Sequence, residues 1–168
     1  CGIATKTQEL VKLVEGLPVK VADTRKTSPG LRIFEKYAVR CGGGVNHRLG
    51  LYDCALIKDN HIALCGSVKE AIKKIRPALP FTAKIVVECT TLAQVQEALE
   101  EKADIIMLDN MSVENIREAV KIAKGKATLE ASGDINPTTI RKVAEQGVDI
   151  ISTGYITHLA YWIGMGLE

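Results

Sequence analysis

The sequence predicts one α/β domain spanning residues 1–168, built on a parallel sheet that is either closed as a (β/α)6-type barrel or left open as a doubly wound sheet. Three observations carry this. Six short apolar runs recur, each followed by a segment with helical periodicity. Several of the runs are near-continuous rather than alternating, as strands covered on both faces are. The polar residues gather where these runs end, the rim that binds ligands in parallel α/β folds.

The elements follow in order. A helix is expected over Thr5–Glu15, with Leu10, Val11 and Val14 on one stripe. The strands are expected at Val19–Asp23, Cys54–Lys58, Ile85–Cys89, Ile105–Asp109, Ala127–Ala131 and Ile150–Ser152. Between them, Pro29–Val39, Ser67–Ile75 and Leu92–Glu101 are expected to be helical. Ser112–Ala123 opens with Ser112 as N-cap and Glu114 in the first turn, where an acid meets the positive end of the helix dipole. Pro137–Gln146 begins with proline and stops at Gly147, the asymmetry helices favour. A last helix is expected over Ile156–Ile163. Repeated β-then-α units dictate crossover connections and parallel strands, and the chain is too short for an eight-fold barrel of about 250 residues.

Composition narrows the function. At 168 residues, 46% hydrophobic and 25% charged, the chain can bury a full core. A formal charge of +2 excludes a general polyanion binder, so any basic site must come from placement. The five cysteines form no CxxC pair and no zinc spacing, and read as thiols of a reducing cytoplasm. No apolar stretch approaches the ~18 residues of a membrane span. The chain starts at Cys1 directly in a helical pattern, without methionine, and an excised domain of a longer protein is expected.

The strand ends divide by chemistry. Arg25, Lys26 and Lys58 supply cations, with Arg40, His47 and Arg48 from a loop; Glu88 and Asp109 supply carboxylates; Ser132-Gly133 and Thr153-Gly154 supply small residues. Arginine forks and lysine point charges suit carboxylate and phosphate groups. Two carboxylates with few other ligands suit Mg²⁺, which keeps waters and bridges to phosphates. Glycine-bearing turns before helices bare N–H groups to a phosphate. The expectation is a multiply anionic, phosphorylated substrate used with Mg²⁺. Cys41-Gly42-Gly43-Gly44 is read as a close-packed loop that presents His47 and Arg48, and His61 as a ligand or a helix cap. Asp104 and Asp149 precede strands at the opposite, stabilising end.

Several blocks then resemble one family: Asp-Thr-Arg-Lys-Thr at 23–27, Pro29-Gly30-Leu31, Lys36 to Gly44, Asn46 to Leu51, Leu56 to His61, Met107 to Asn110, Leu129-Glu130-Ala131-Ser132-Gly133 and Gly147-Val148-Asp149. Nearly end to end, they are similar to the barrel domain of quinolinate phosphoribosyltransferase. That resemblance implies a type II phosphoribosyltransferase barrel acting in NAD biosynthesis. Such an enzyme takes quinolinate and phosphoribosyl pyrophosphate to nicotinate mononucleotide, pyrophosphate and CO₂ with Mg²⁺. It implies that Arg25, His47 and Arg48 hold the quinolinate carboxylates, and that Lys26 and Lys58 lie against substrate anions. Glu88 and Asp109 would stand near the ribose and the metal, and Ser132, Gly133, Gly154 and His158 near the 5-phosphate.

The resemblance further implies a homodimer or higher homo-oligomer in which a neighbouring N-terminal domain completes the site, and this chain is expected to lack that domain. Three departures from the family pattern stand out. Val86 and Thr90 replace acids around Glu88, Asp134 replaces a common glycine, and the N-terminal domain is not represented. A molybdenum-transport-associated paralogue and a non-catalytic barrel scaffold stay open as other readings.

Overall fold

The structure is a computed structural model and describes residues 1–161, 164 and 166. Its elements run α1 (Gly2–Leu13), β1 (Lys20–Ala22), α2 (Arg32–Cys41), β2 (Ala55–Ile57), α3 (Asp59–Cys65), α4 (Val68–Ile75), β3 (Ile85–Cys89) and α5 (Leu92–Glu100). They continue through β4 (Ile105–Asp109), α6 (Val113–Ala123), β5 (Thr128–Ser132), α7 (Ile140–Ala144), β6 (Ile150–Ser152) and α8 (Tyr155–His158). The six strands form one sheet in the order β1-β6-β5-β4-β3-β2, parallel throughout. Among the described residues no ladder joins β1 to β2, so the hydrogen-bonded sheet is open. It nevertheless curls, because residues of β2 to β6 and of the segment just after β1 line one cleft.

Alternation assigns the two faces. Val87, Ile106, Leu129 and Ile151 belong to the apolar core, packed with Ile72, Val95, Ile116 and Ile140 from the helices. The alternate positions point the other way. In the register, Glu88 lies opposite Met107, Met107 opposite Glu130, and Glu130 opposite Ile150. The helices therefore drive folding from one face and leave the other free to carry polar groups.

The free edge of β1 is partly covered. Val45 donates its N–H to Val21 at 2.8 Å and accepts from Asp23 N–H at 3.2 Å, forming a single parallel bridge with Ala22. This draws the segment after α2 back against the strand. Gly44 is what lets it approach, since a Cβ there would stand 2.8 Å from both Thr7 Cγ2 and Val39 Cγ1. The close-packed reading of the glycine loop holds.

The N-terminal end of the sheet is closed by the two aspartates read as structural. Asp104 Oδ2 accepts from Ile85 N–H at 2.9 Å, and Asp149 Oδ2 accepts from Leu129 N–H at 2.8 Å. Each carboxylate caps a backbone N–H at the start of a neighbouring strand, the first residue of β3 and the second of β5.

Several helices differ from expectation, and α1 runs over Gly2–Leu13 rather than Thr5–Glu15. Segment α3 has no fully buried residue, and only Ile62 and Cys65 pack partly against the core, too short a stripe to read. Its start is fixed locally instead, by His61 Nδ1 accepting from Lys58 N–H at 3.0 Å. Helix α7 begins at Ile140 rather than Pro137, because Asn136 and Thr139 bond to the 136–139 backbone and hold a turn there. Helix α2 begins at Arg32 rather than Pro29, after a turn with Gly30 at φ +76°. The last helix ends at His158, and residues 162 and 163 of its expected span lie outside the described residues. Among the described residues no helix is long and apolar enough to cross a membrane.

A Gly44→Ala substitution is expected to destabilise the domain by about 1–3 kcal/mol through overpacking. Urea unfolding followed by circular dichroism measures it, and an unchanged midpoint refutes the close-approach role.

Candidate active site

The C-terminal ends of all six strands converge on a cleft of about 520 Å³, within the size range of small-molecule sites. Its lining includes Arg25, Lys26, His47, Arg48, Lys58, Glu88, Asp109, Ser132, Gly133 and Gly154. Of the expected site residues, His158 alone lines only the adjoining clefts. It is still close, because a Cβ on Gly154 would stand 3.5 Å from its Cε1 and 3.4 Å from Lys26 Cδ. Arg40 lies exposed on α2 and does not line the cleft, so its expected place on the rim is corrected. His61 caps α3 and is likewise not among the lining residues.

One buried carboxylate organises the cationic side. Asp23, fully buried just after β1, accepts from Lys36 Nζ at 2.5 Å, His47 N–H at 2.8 Å and Asn46 Nδ2 at 2.6 Å. Lys36 also donates to the His47 carbonyl at 2.9 Å. Asp23 and Lys36 thus fasten the His47–Arg48 turn to both β1 and α2. The turn continues into a loop held by Asp53, which accepts from Leu49 N–H at 2.5 Å and Gly50 N–H at 3.1 Å. Burial raises the Asp53 carboxyl, but these backbone donors and the Arg48 charge outweigh it and hold the group below its ordinary 3.8.

Charge pairing is uneven around the cleft. Lys58 Nζ sits 2.5 Å from Glu88 Oε2, and that pair neutralises itself. Arg25, Lys26 and Arg48 make no ion pair with a carboxylate among the described residues. Arg48 instead donates to the Cys54 carbonyl at 3.1 Å, and Arg25 Nε is buried without a hydrogen-bond partner. Three unneutralised cations in one concave site attract an anion far more strongly than the net charge implies. Asp109 accepts from Asn110 Nδ2 at 2.9 Å. Cys89 follows Glu88 in sequence but faces the core, and burial, then Glu97 and Glu88, push its thiol up to about 12.

The turn after β5 is shaped for close approach. Gly133 has φ +96°, and a Cβ there would stand 2.8 Å from Asn110 N and closer still to the Asn110 side-chain oxygen. Asp134 follows at φ +48°, a left-handed conformation that costs a non-glycine residue roughly 1–2 kcal/mol. The helix expected from Pro137 after this turn begins at Ile140, so loop backbone faces the cleft there.

A second cleft of about 630 Å³ adjoins the first and shares Lys26. Its walls are largely apolar, with Ile3, Leu31, Phe34 and Ala38, and none of its lining residues is a strand-end carboxylate. The polar cleft is the one equipped for chemistry.

The residue that sequence reasoning missed is Glu130. It lies 1% exposed on β5, within an otherwise apolar run, with Oε2 3.3 Å from His47 Nε2. Its signal was available: it alternates with Ala131 and shares a strand face with Ser132.

Comparison with known proteins decides the family. The model of the quinolinate phosphoribosyl transferase C-terminal domain matches residues 3–168. The chain belongs to this family. A Bacillus subtilis relative of the quinolinate phosphoribosyl transferase family, named a probable carboxylating nicotinate-nucleotide pyrophosphorylase, is 48% identical over 94% of the chain and 54% of its own length. A Methanocaldococcus jannaschii protein of the same name is 48% identical over 99% of the chain and 62% of its length. The solved nicotinate-nucleotide pyrophosphorylase of Francisella tularensis superposes with TM-score 0.92 at 49% identity, covering 95% of this chain and 57% of that one. The chain thus spans little more than half the length of these family members.

Two outcomes test the site. The Leu49 and Gly50 amide proton shifts should titrate with a midpoint below 3.8 as acid removes the Asp53 charge. Because the folded value is depressed, the loop's stabilisation is present above 3.8 and is lost as pH falls through that lower midpoint. Asp53→Asn abolishes the titration, and a midpoint at or above 3.8 contradicts the loop geometry. Separately, inorganic phosphate should shift the Gly133 and Gly154 amides, with Asp134→Gly binding it roughly 3- to 10-fold more tightly once a nearby negative charge is gone. Equal or weaker binding argues against the phosphate loop.

Proposed function

We propose that this chain is the catalytic domain of a carboxylating nicotinate-nucleotide pyrophosphorylase. The reaction transfers phosphoribose from phosphoribosyl pyrophosphate to quinolinate and releases pyrophosphate and CO₂, yielding nicotinate mononucleotide. The observation that carries this reading is the set of unneutralised cations Arg25, Lys26 and Arg48 facing one cleft with Glu88 and Asp109. A planar dicarboxylate suits the arginine forks. His47 belongs to the same subsite, although its Nδ1 accepts from Arg48 N–H at 2.7 Å and its Nε2 faces Glu130.

In this proposal the leaving of pyrophosphate makes C1 of the ribose oxocarbenium-like, and Glu88 and Asp109 stabilise the developing positive charge. Lys26 and Lys58 stabilise the negative charge growing on the leaving group. The 5-phosphate lies at Ser132, Gly133 and Gly154, with His158 at its margin. Once the pyridine nitrogen is alkylated it stabilises the electron pair left on C2 as CO₂ departs, and C2 then takes a proton from water, so decarboxylation needs no covalent enzyme intermediate.

The residues fit Mg²⁺ as a substrate-borne ion rather than a caged one. Among the described residues no group of three His, Cys, Asp or Glu could hold a metal. Glu88 and Asp109 would hold it together with substrate oxygens, and Lys58 would have to share Glu88. When bound, the ion supplies counter-charge to the pyrophosphate. The homodimer and the site-completing neighbouring domain belong to the same proposal. The exposed Ile33, Phe34 and Tyr37 on α2, between 70% and 72% accessible, support it as a surface suited to cover. A cytoplasmic location accords with the free thiols.

The 168-residue chain is expected to bind phosphoribosyl pyrophosphate weakly and to turn over quinolinate very slowly or not at all with Mg²⁺. Lys26→Ala and Asp109→Ala should each lower any turnover by about 10²–10³. Pyrophosphate release measures this, and retention of the rate by both folded variants overturns the assignment.

A further inference from the structure

Glu130 is an expensive residue for its place. It sits on a central strand between Met107 and Ile150 in the register, almost wholly buried. Among the described residues no lysine or arginine pairs with it, and its Oε1 has no hydrogen-bond partner. Burying a carboxylate so sparsely satisfied is costly, and an apolar side chain would fill the position at less cost. What the carboxylate does have is His47, whose Nε2 lies 3.3 Å from Oε2.

The rest of the His47 environment defines what that contact does. Arg48 N–H points at His47 Nδ1 from 2.7 Å, so Nδ1 presents its lone pair and the ring hydrogen is on Nε2, facing Glu130. The His47 backbone is pinned on both sides by Asp23 and Lys36. That leaves the ring's rotation, and Glu130 Oε2 is the group that faces its other nitrogen. The ring in turn holds the Arg48 N–H, at the root of the side chain that reaches the cleft.

We propose that Glu130 is a positioning residue for the anion subsite. By accepting the His47 Nε2–H it fixes the tautomer and plane of the imidazole, and through Nδ1 the orientation of Arg48 toward a pyridine dicarboxylate. The second half of this inference rests on the proposed function; the first half does not.

The test uses ¹⁵N-labelled protein and long-range imidazole spectra, with the His47 signals assigned by comparison with His61→Gln and His158→Gln. Calorimetric titration with quinolinate runs in parallel. The unsubstituted protein should show His47 as the Nε2–H tautomer. Glu130→Gln keeps volume and an acceptor without charge, and should keep that tautomer and an affinity within about threefold. Glu130→Leu keeps volume without an acceptor; it should give mixed tautomers and about tenfold weaker binding, a loss of ~1.4 kcal/mol. A Leu variant with unchanged ring signals and affinity overturns the proposal, as does a Gln variant that loses the tautomer. If the Leu variant fails to fold, the Gln variant's ring signals decide alone. If the unsubstituted protein binds no quinolinate, the proposed function fails while the ring signals still decide the role of Glu130.

Discussion

The cationic half of the cleft depends on a buried carboxylate that faces no substrate. Asp23 is sealed from solvent and takes three donors, one each from Lys36, Asn46 and His47. Those donors come from α2 and from the segment beyond it, so one side chain joins the end of β1 to the elements that carry the site. A buried ion pair contributes little net stability, but removing one partner strands the other's charge, typically at about 3–5 kcal/mol. The consequence is rigidity where it is needed. Arg25 and Lys26 follow Asp23 immediately in sequence, and Arg48 follows His47, so the anchor and the cations it places share the same short stretches of backbone.

This separates two jobs that a polar cleft could easily confuse. Asp23, Asp104 and Asp149 are all engaged by donors of the fold itself, whether at the top or the bottom of the sheet. Among the described residues Arg25, Lys26 and Arg48 make no ion pair with a carboxylate, and Asp109 accepts from Asn110. The Lys58–Glu88 pair stands between these classes, internally neutral yet at the cleft. Such a pair can exchange partners when an anion and a cation arrive together, without leaving an isolated charge in either state.

Much of this was legible in the sequence. Apolar runs placed β3, β4 and β6 at their observed bounds, and the Ser112 cap was read correctly, with Asn115 N–H bonding its hydroxyl at 3.2 Å. The strand-end pattern gathered the cleft residues because alternation and parallel topology leave a chain little choice about where strand ends meet. What escaped detection was decided by side chain-to-backbone bonding over a few residues. The Asn136–Thr139 turn displaced α7, and the His61 cap made a helix with no fully buried residue. Glu130 escaped for the opposite reason. Alternation puts it on the face of Ser132, but its partner His47 is in a loop far away in sequence, and no local pattern announces that contact.

The strand order carries a kinetic consequence. β1 has a single ladder partner, β6, with every other strand of the sheet lying between them in the chain. Pairing them closes a very long loop, whose entropy must be lost before any contact repays it. The remaining strands can add one neighbour at a time, since each pairs with the next in sequence. β1 and the residues just beyond it can dock only after β6 has formed. The basic wall, with Arg25 and Lys26, therefore joins the sheet late, while the acidic residues of β3 and β4 are already placed. Until β1 docks, the β6 edge has no strand partner, and the cations after β1 are not yet set beside Glu88 and Asp109.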